Sequence, residues 1–86
     1  MSDSAQITGR QISAARTLLG IGQDSLAKTA RISVATLRRM EASEGAVSGM
    51  PNNIDAVQRT LESAGIIFLA DGQSIDGGPG VRLAKK

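Results

Sequence analysis

The chain contains no cysteine, histidine, tryptophan or tyrosine, and Phe68 is its only aromatic residue. Without thiols or imidazoles, disulfides, the usual zinc ligand sets and histidine acid–base catalysis are all excluded. The carboxylates are scattered among helix starts and loops, so no enzyme is expected, and neither a cofactor nor a metal is implied. With so few aromatics, the core must be packed almost entirely by Leu, Ile, Val, Met and Ala. No apolar run approaches the length of a membrane span, and the opening MSDSAQ lacks the charged-then-apolar layout of a signal peptide. No membrane partner is expected, and the composition is of a cytoplasmic type. The charge excess is also small, a formal +2. Any case for a nucleic-acid partner therefore rests on where the cations sit, not on their number.

What is present suits one small domain. Eighty-six residues with 41% apolar content can fold around a single modest core. Residues 1–7 read as a flexible N-terminus, 8–65 as a helical domain and 66–86 as a β-hairpin. Thr8, with Gln11 three residues on, predicts a capped helix to about Leu19, with Ile12, Ala15 and Leu19 as its buried stripe. Gly20 and Gly22 end it, and the isolated Ile21 plugs the gap between helices. A short helix from Gln23 to Ala30 buries Leu26, Ala27 and Ala30, with Asp24 favourably placed in its first turn. Arg31 and Ile32 form a turn. Ser33 then caps a helix from Val34 to about Ala42, with Leu37 and Met40 inward and Val34, Ala35, Arg38, Arg39 and Ala42 outward.

SEGAVSGMP reads as a loop with room for a short turn of helix. Pro51 opens a further helix with Ile54, Val57 and Leu61 as its stripe and Gly65 as its stop. The period then changes. IIFLA (66–70) and VRLAK (81–85) read as strands either side of the glycine-rich DGQSIDGGPG. GGPG (77–80) lacks the Lys-Ser/Thr ending of a phosphate-cradling loop and is expected to be a turn.

Two short helices joined by a tight turn have helix-turn-helix spacing. ARTLLGIGQDSLAKTARISVATLRRMEAS, residues 15–43, resembles the helix-turn-helix of the Xre and phage-repressor (Cro/C1-type) family. The shared features are Arg16, Gln23, the SLA of 25–27, and S-x-x-T-L-R-R-M-E from Ser33 to Glu41. They cover about a third of the chain. The resemblance implies a mainly α fold, a four- to five-helix lambda-repressor-like domain closed here by a C-terminal β-hairpin. It also implies a sequence-specific double-stranded DNA-binding regulator of transcription, a repressor by expectation, that reads the major groove through helix 34–42 as a homodimer, in the cytoplasm and on the nucleoid when bound.

The resemblance matches Val34, Ala35 and Arg39 to base-contacting positions, while Thr36 could meet a base or a phosphate. Arg39 can make the bidentate pair to guanine, and Val34 and Ala35 can meet a thymine methyl. On an arbitrary helix Arg38 and Arg39 would more often be a solvated face; the surrounding motif favours the reading role. Gln23, Arg38, Ser33, Lys28 and Asn52 are the candidate backbone-contacting or supporting residues, with Arg31 adding general attraction. The resemblance also makes Arg16 and Glu41 a structural pair between the first and third helices. Gln23 has the plainer alternative of a first-turn residue without a partner, and Asn52 and Asn53 that of helix caps.

Two positions depart from the family. Arg31 stands where glycine commonly supplies a positive φ, and Gly22 replaces the usual Ser or Thr before the second helix.

The hairpin residues Ile66, Ile67, Phe68, Leu69, Val81 and Leu83 are expected to build a homodimer, since one small domain cannot cover both faces of IIFLA. The alternative is a lid on the monomer's own core. No small-molecule effector is expected, because nothing remains to form a sensing domain. The competing functional reading is an antitoxin-type module that binds a partner protein and autoregulates its operator.

Overall fold

The computed structural model describes residues 7–70 and 77–85. The expectations for residues 1–6, 71–76 and 86 lie outside them. Four helices and two strands follow in order: α1 (Gly9–Leu19), α2 (Gln23–Ala30), α3 (Val34–Glu41), α4 (Pro51–Ser63), β1 (Ile66–Leu69) and β2 (Gly80–Leu83). The strands form one antiparallel pair with Ile66 opposite Leu83 and Leu69 opposite Gly80. The fold is mainly α, and among the described residues no helix is long and apolar enough to cross a membrane.

Local chemistry sets most of the boundaries. Thr8 Oγ1 accepts from the Gln11 N–H at 3.0 Å and Gln11 Oε1 accepts from the Thr8 N–H at 2.8 Å, a reciprocal capping box for α1. α1 and α2 then end in the same way. Gly20 N–H donates to Thr17 and Ile21 N–H to Arg16, while Arg31 N–H donates to Lys28 and Ile32 N–H to Ala27. Both are Schellman motifs, which require a left-handed residue after the helix. Gly20 adopts φ 71° and Arg31 φ 63°; Arg31 is the one non-glycine with positive φ among the described residues. The turn has kept its glycine-type geometry with an arginine in it.

The core gathers Ile12, Ala15, Leu26, Ala27, Leu37, Met40, Val57 and Leu61 from all four helices, and Ile66 from β1. Leu19, Ile21, Ile32 and Ile54 are partly buried against it. Several expectations are corrected. Ile7 is buried, and its carbonyl accepts from the Val47 N–H at 2.9 Å, so the ordered fold includes Ile7. Residues 43–50 contain no helical turn. They form an extended loop that bridges Thr8 to Ala46 and buries Val47. Val34 is not fully outward; it is half-buried and packs on the core. Ile66 is only 3% exposed and so belongs to the core, not to a free dimer face. Phe68 and Val81 also pack partly on the core. Asn52 and Asn53 do not cap α4, whose cap residue is Met50, with no side-chain cap hydrogen bond.

Two residues carry more of the architecture than their local sequence suggests. The buried Gln11 side chain also donates from Nε2 to the carbonyls of Leu69 (3.0 Å) and Gly80 (2.8 Å). One amide thus caps a helix and pins the last pair of the hairpin. Gly9, opening α1, lies against the last carbonyls of α3. A Cβ there would sit 2.5 Å from the Met40 oxygen and 2.8 Å from the Glu41 oxygen. Close approach of a positive helix start to a negative helix end is electrostatically favourable, and it requires a residue without a side chain.

Candidate nucleic-acid interface

Among the described residues, the outward side of α3 is the helix face with the most exposed cations, Arg38 and Arg39. Its apolar residues Leu37 and Met40 are buried, which turns Ala35, Arg38 and Arg39 to solvent and leaves Thr36 half-exposed. Ser33 fixes the start of this face. Its Oγ accepts from the Thr36 N–H at 3.0 Å and donates to Thr36 Oγ1 at 2.8 Å. Arg39 Nη2 lies 3.5 Å from the same hydroxyl, a long contact that an exposed guanidinium can exchange for a better partner. Beside Thr36 and Arg39 a cleft of about 350 Å³ opens toward Ser48, Gly49, Met50 and Asn53. Neither its loop wall nor the exposed Met50 stood out in the sequence, because no periodicity marks them.

One carboxylate fixes the orientation of α3. Glu41 accepts from Arg16 Nε (2.9 Å) and Nη2 (3.0 Å) on α1, and from Gln23 Nε2 (3.1 Å) on α2. Arg16 also donates to the Ile21 carbonyl at 3.2 Å, and Arg38 Nε donates to Gln23 Oε1 at 3.4 Å. The Glu41 side chain is only 8% exposed, so in this half-dry setting the paired, bidentate geometry matters. The hydrogen bonds that Arg16 donates to the Glu41 carboxylate raise the Arg16 pKa above its ordinary value, against the opposing effect of burial.

Gln23 is therefore neither free nor without a partner. Its amide is held between Glu41 and Arg38, leaving the N-terminal N–H groups of α2 as the available donors at that end. Gly22 caps α2 without a side-chain hydrogen bond. The first-turn N–H groups of a helix have no intrahelical acceptor and suit an anion. Lys28 and Arg31 are exposed further along. Asn52 is exposed at the start of α4, and Asn53 lines the cleft. The structure thus brings Ser33, Thr36, Arg38 and Arg39 onto one surface with Gln23 behind it. Val34 lies partly beneath that surface.

Compared with models of known protein families and with curated proteins, the chain matches none.

Proposed function

We propose that the chain is a sequence-specific double-stranded DNA-binding regulator of transcription, a helix-turn-helix protein of the Xre and phage-repressor type. In this reading α3 enters a major groove about 12 Å wide, and the start of α2 meets the flanking phosphate backbone. The observation that carries it is the joint fixing of α2 and α3 by Glu41, with Arg38 and Arg39 left exposed on the outer side.

Arg39 reads a guanine edge, Ala35 and the exposed part of Val34 meet thymine methyls, and Thr36 and Ser33 support the helix start. Gln23 acts as a positioning residue for α2, whose N–H groups take the phosphate. Lys28, Arg31 and Asn52 add charge and hydrogen bonding toward the backbone. Such a protein would work in the cytoplasm, on the nucleoid.

One short helix reads few base pairs, so the active species is a homodimer reading two half-sites about 34 Å apart. The hairpin surface open to a second copy centres on the half-exposed Ile67 and on Leu69, on the face away from the buried Ile66. Selection of random duplexes by the purified chain tests the function. A motif with twofold symmetry is expected, with affinity falling steeply as salt rises. Recovery of no motif above background would refute it, and a mass corresponding only to monomer at high micromolar concentration would refute the dimer.

A further inference from the structure

The two outer edges of the hairpin differ in charge. β1 contains no ionisable side chain, whereas Arg82 in β2 and Lys85 just after it are exposed cations. The Ala84 N–H donates to the Gly65 carbonyl at 2.7 Å, one step beyond the Ile66–Leu83 pair. Alternation along an antiparallel ladder then turns the N–H and C=O of Gly80 and Arg82 toward β1, and those of Val81 and Leu83 away from it. Among the described residues, no other element hydrogen-bonds the backbone of Val81 or Leu83. Such an edge is a template for another strand.

α1 packs against β2. Gln11 is tied to Gly80, and Ala14 lines the same cleft as Val81. Leu18 follows Gln11 and Ala14 on one face of α1, and Leu83 lies three residues beyond Gly80 in β2. Leu18 is 48% exposed and Leu83 43%, two of the four exposed large apolar residues among those described. At the other end of the strip lies the cleft, about 390 Å³, between Thr8, Arg10, Ala14, Gly45 and Pro79 to Val81. Arg10, Arg82 and Lys85 flank the strip, and neither α1 nor β2 contains an acidic residue.

We propose that the outer edge of β2 takes an extended segment of another protein in which apolar and acidic residues alternate, added as a third antiparallel strand. Its apolar side chains lie on the side of Leu18, Val81 and Leu83. Its acidic side chains fall on the opposite face, where cross-strand pairing sets one against Arg82. A second copy of the chain fits this edge less well, because symmetric pairing of β2 about its middle opposes Arg82 to its own equivalent, a like-charge pair. The proposal is independent of the DNA-reading role of α3.

The test is selection of random linear peptides against the full chain, followed by titration of a synthetic peptide of the enriched sequence. Enrichment of alternating Val, Ile or Phe with Asp or Glu is expected. Replacing the peptide's Glu by Lys should weaken binding at least tenfold, and Arg82→Glu in the protein should restore the Lys peptide. Leu18→Asp, at an exposed position, should lose binding while keeping the helical circular dichroism. Amide exchange at Val81 and Leu83 should slow when the peptide binds. Enrichment without alternation or acidic residues would overturn the proposal. So would protection of Val81 and Leu83 that depends on protein concentration alone, which would assign the edge to a second copy.

Discussion

Replacing Arg31 by glycine should stabilise the protein. Arg31 holds φ 63° and ψ 45° after α2, in the left-handed region where a Cβ crowds the following carbonyl. That costs about 1–2 kcal/mol for a residue with a side chain. Glycine removes this strain but gives the unfolded chain more freedom, returning about 0.4–1 kcal/mol. The net gain is about 0.5–1 kcal/mol, or roughly 2–8 °C in Tm for a domain of this size. Little else is lost, because the exposed Arg31 side chain makes no hydrogen bond or ion pair among the described residues.

The first Schellman motif supplies an internal mirror. Gly20 has nearly the same backbone angles, and a Cβ there would meet nothing within 4 Å, so Gly20→Ala reports the same strain with opposite sign. Urea unfolding followed by far-ultraviolet circular dichroism would measure all three variants, with Arg31→Ala as the reference for loss of charge. Arg31→Gly should exceed Arg31→Ala by about the amount that Gly20→Ala loses. Equal stability of Arg31→Gly and Arg31→Ala would refute the argument that this turn stores backbone strain.

Three further changes probe the packing behind the candidate interface. Gln11→Leu should cost about 2–4 kcal/mol in urea unfolding, because it removes the side-chain half of the α1 capping box and both donors to the Leu69 and Gly80 carbonyls; a loss no larger than for a surface residue would deny the hairpin clamp. Gly9→Ala should destabilise by at least 1 kcal/mol although alanine is the better helix former, because its Cβ would meet three carbonyl oxygens within 3 Å; increased thermal stability would contradict that contact. Arg16→Met should cost about 3 kcal/mol by leaving Glu41 buried and poorly paired, while Arg16→Met with Glu41→Leu should recover most of it; a double-mutant cycle with no coupling would show that the pair does not fix α3.

The elements legible in the sequence are those set by neighbours along the chain. Thr8 with Gln11, Gly20, Ser33 and Pro51 each act within one helical turn, so they mark α1, α3 and α4 without tertiary information. The outward position of Ala35, Arg38 and Arg39 follows from the period that buries Leu37 and Met40. What depends on distant contacts was not legible. The second role of Gln11 joins residues 58 and 69 positions apart. Gly9 is required only because α3 ends against it, and Ile7 and Val47 enter the core from segments without any periodicity. At the interface, helical spacing alone points Val34 outward, yet the first turn of α3 leans on the core. Gln23 looked free because its partners, Glu41 and Arg38, come from another helix. For Arg31 the residue type argued against a left-handed turn, while the Schellman bonds to Ala27 and Lys28 hold it there.

The central claim, that α3 reads DNA through Arg39, is tested most directly by titrating the duplex selected by the wild-type chain against Arg39→Ala. The substitution should leave the fold unchanged, since Arg39 is exposed and, among the described residues, its side chain makes one long hydrogen bond. Binding to the selected duplex should weaken by about 1–3 kcal/mol, and the preference should relax at one base pair in each half-site. Undiminished affinity with unchanged base preference would contradict the account.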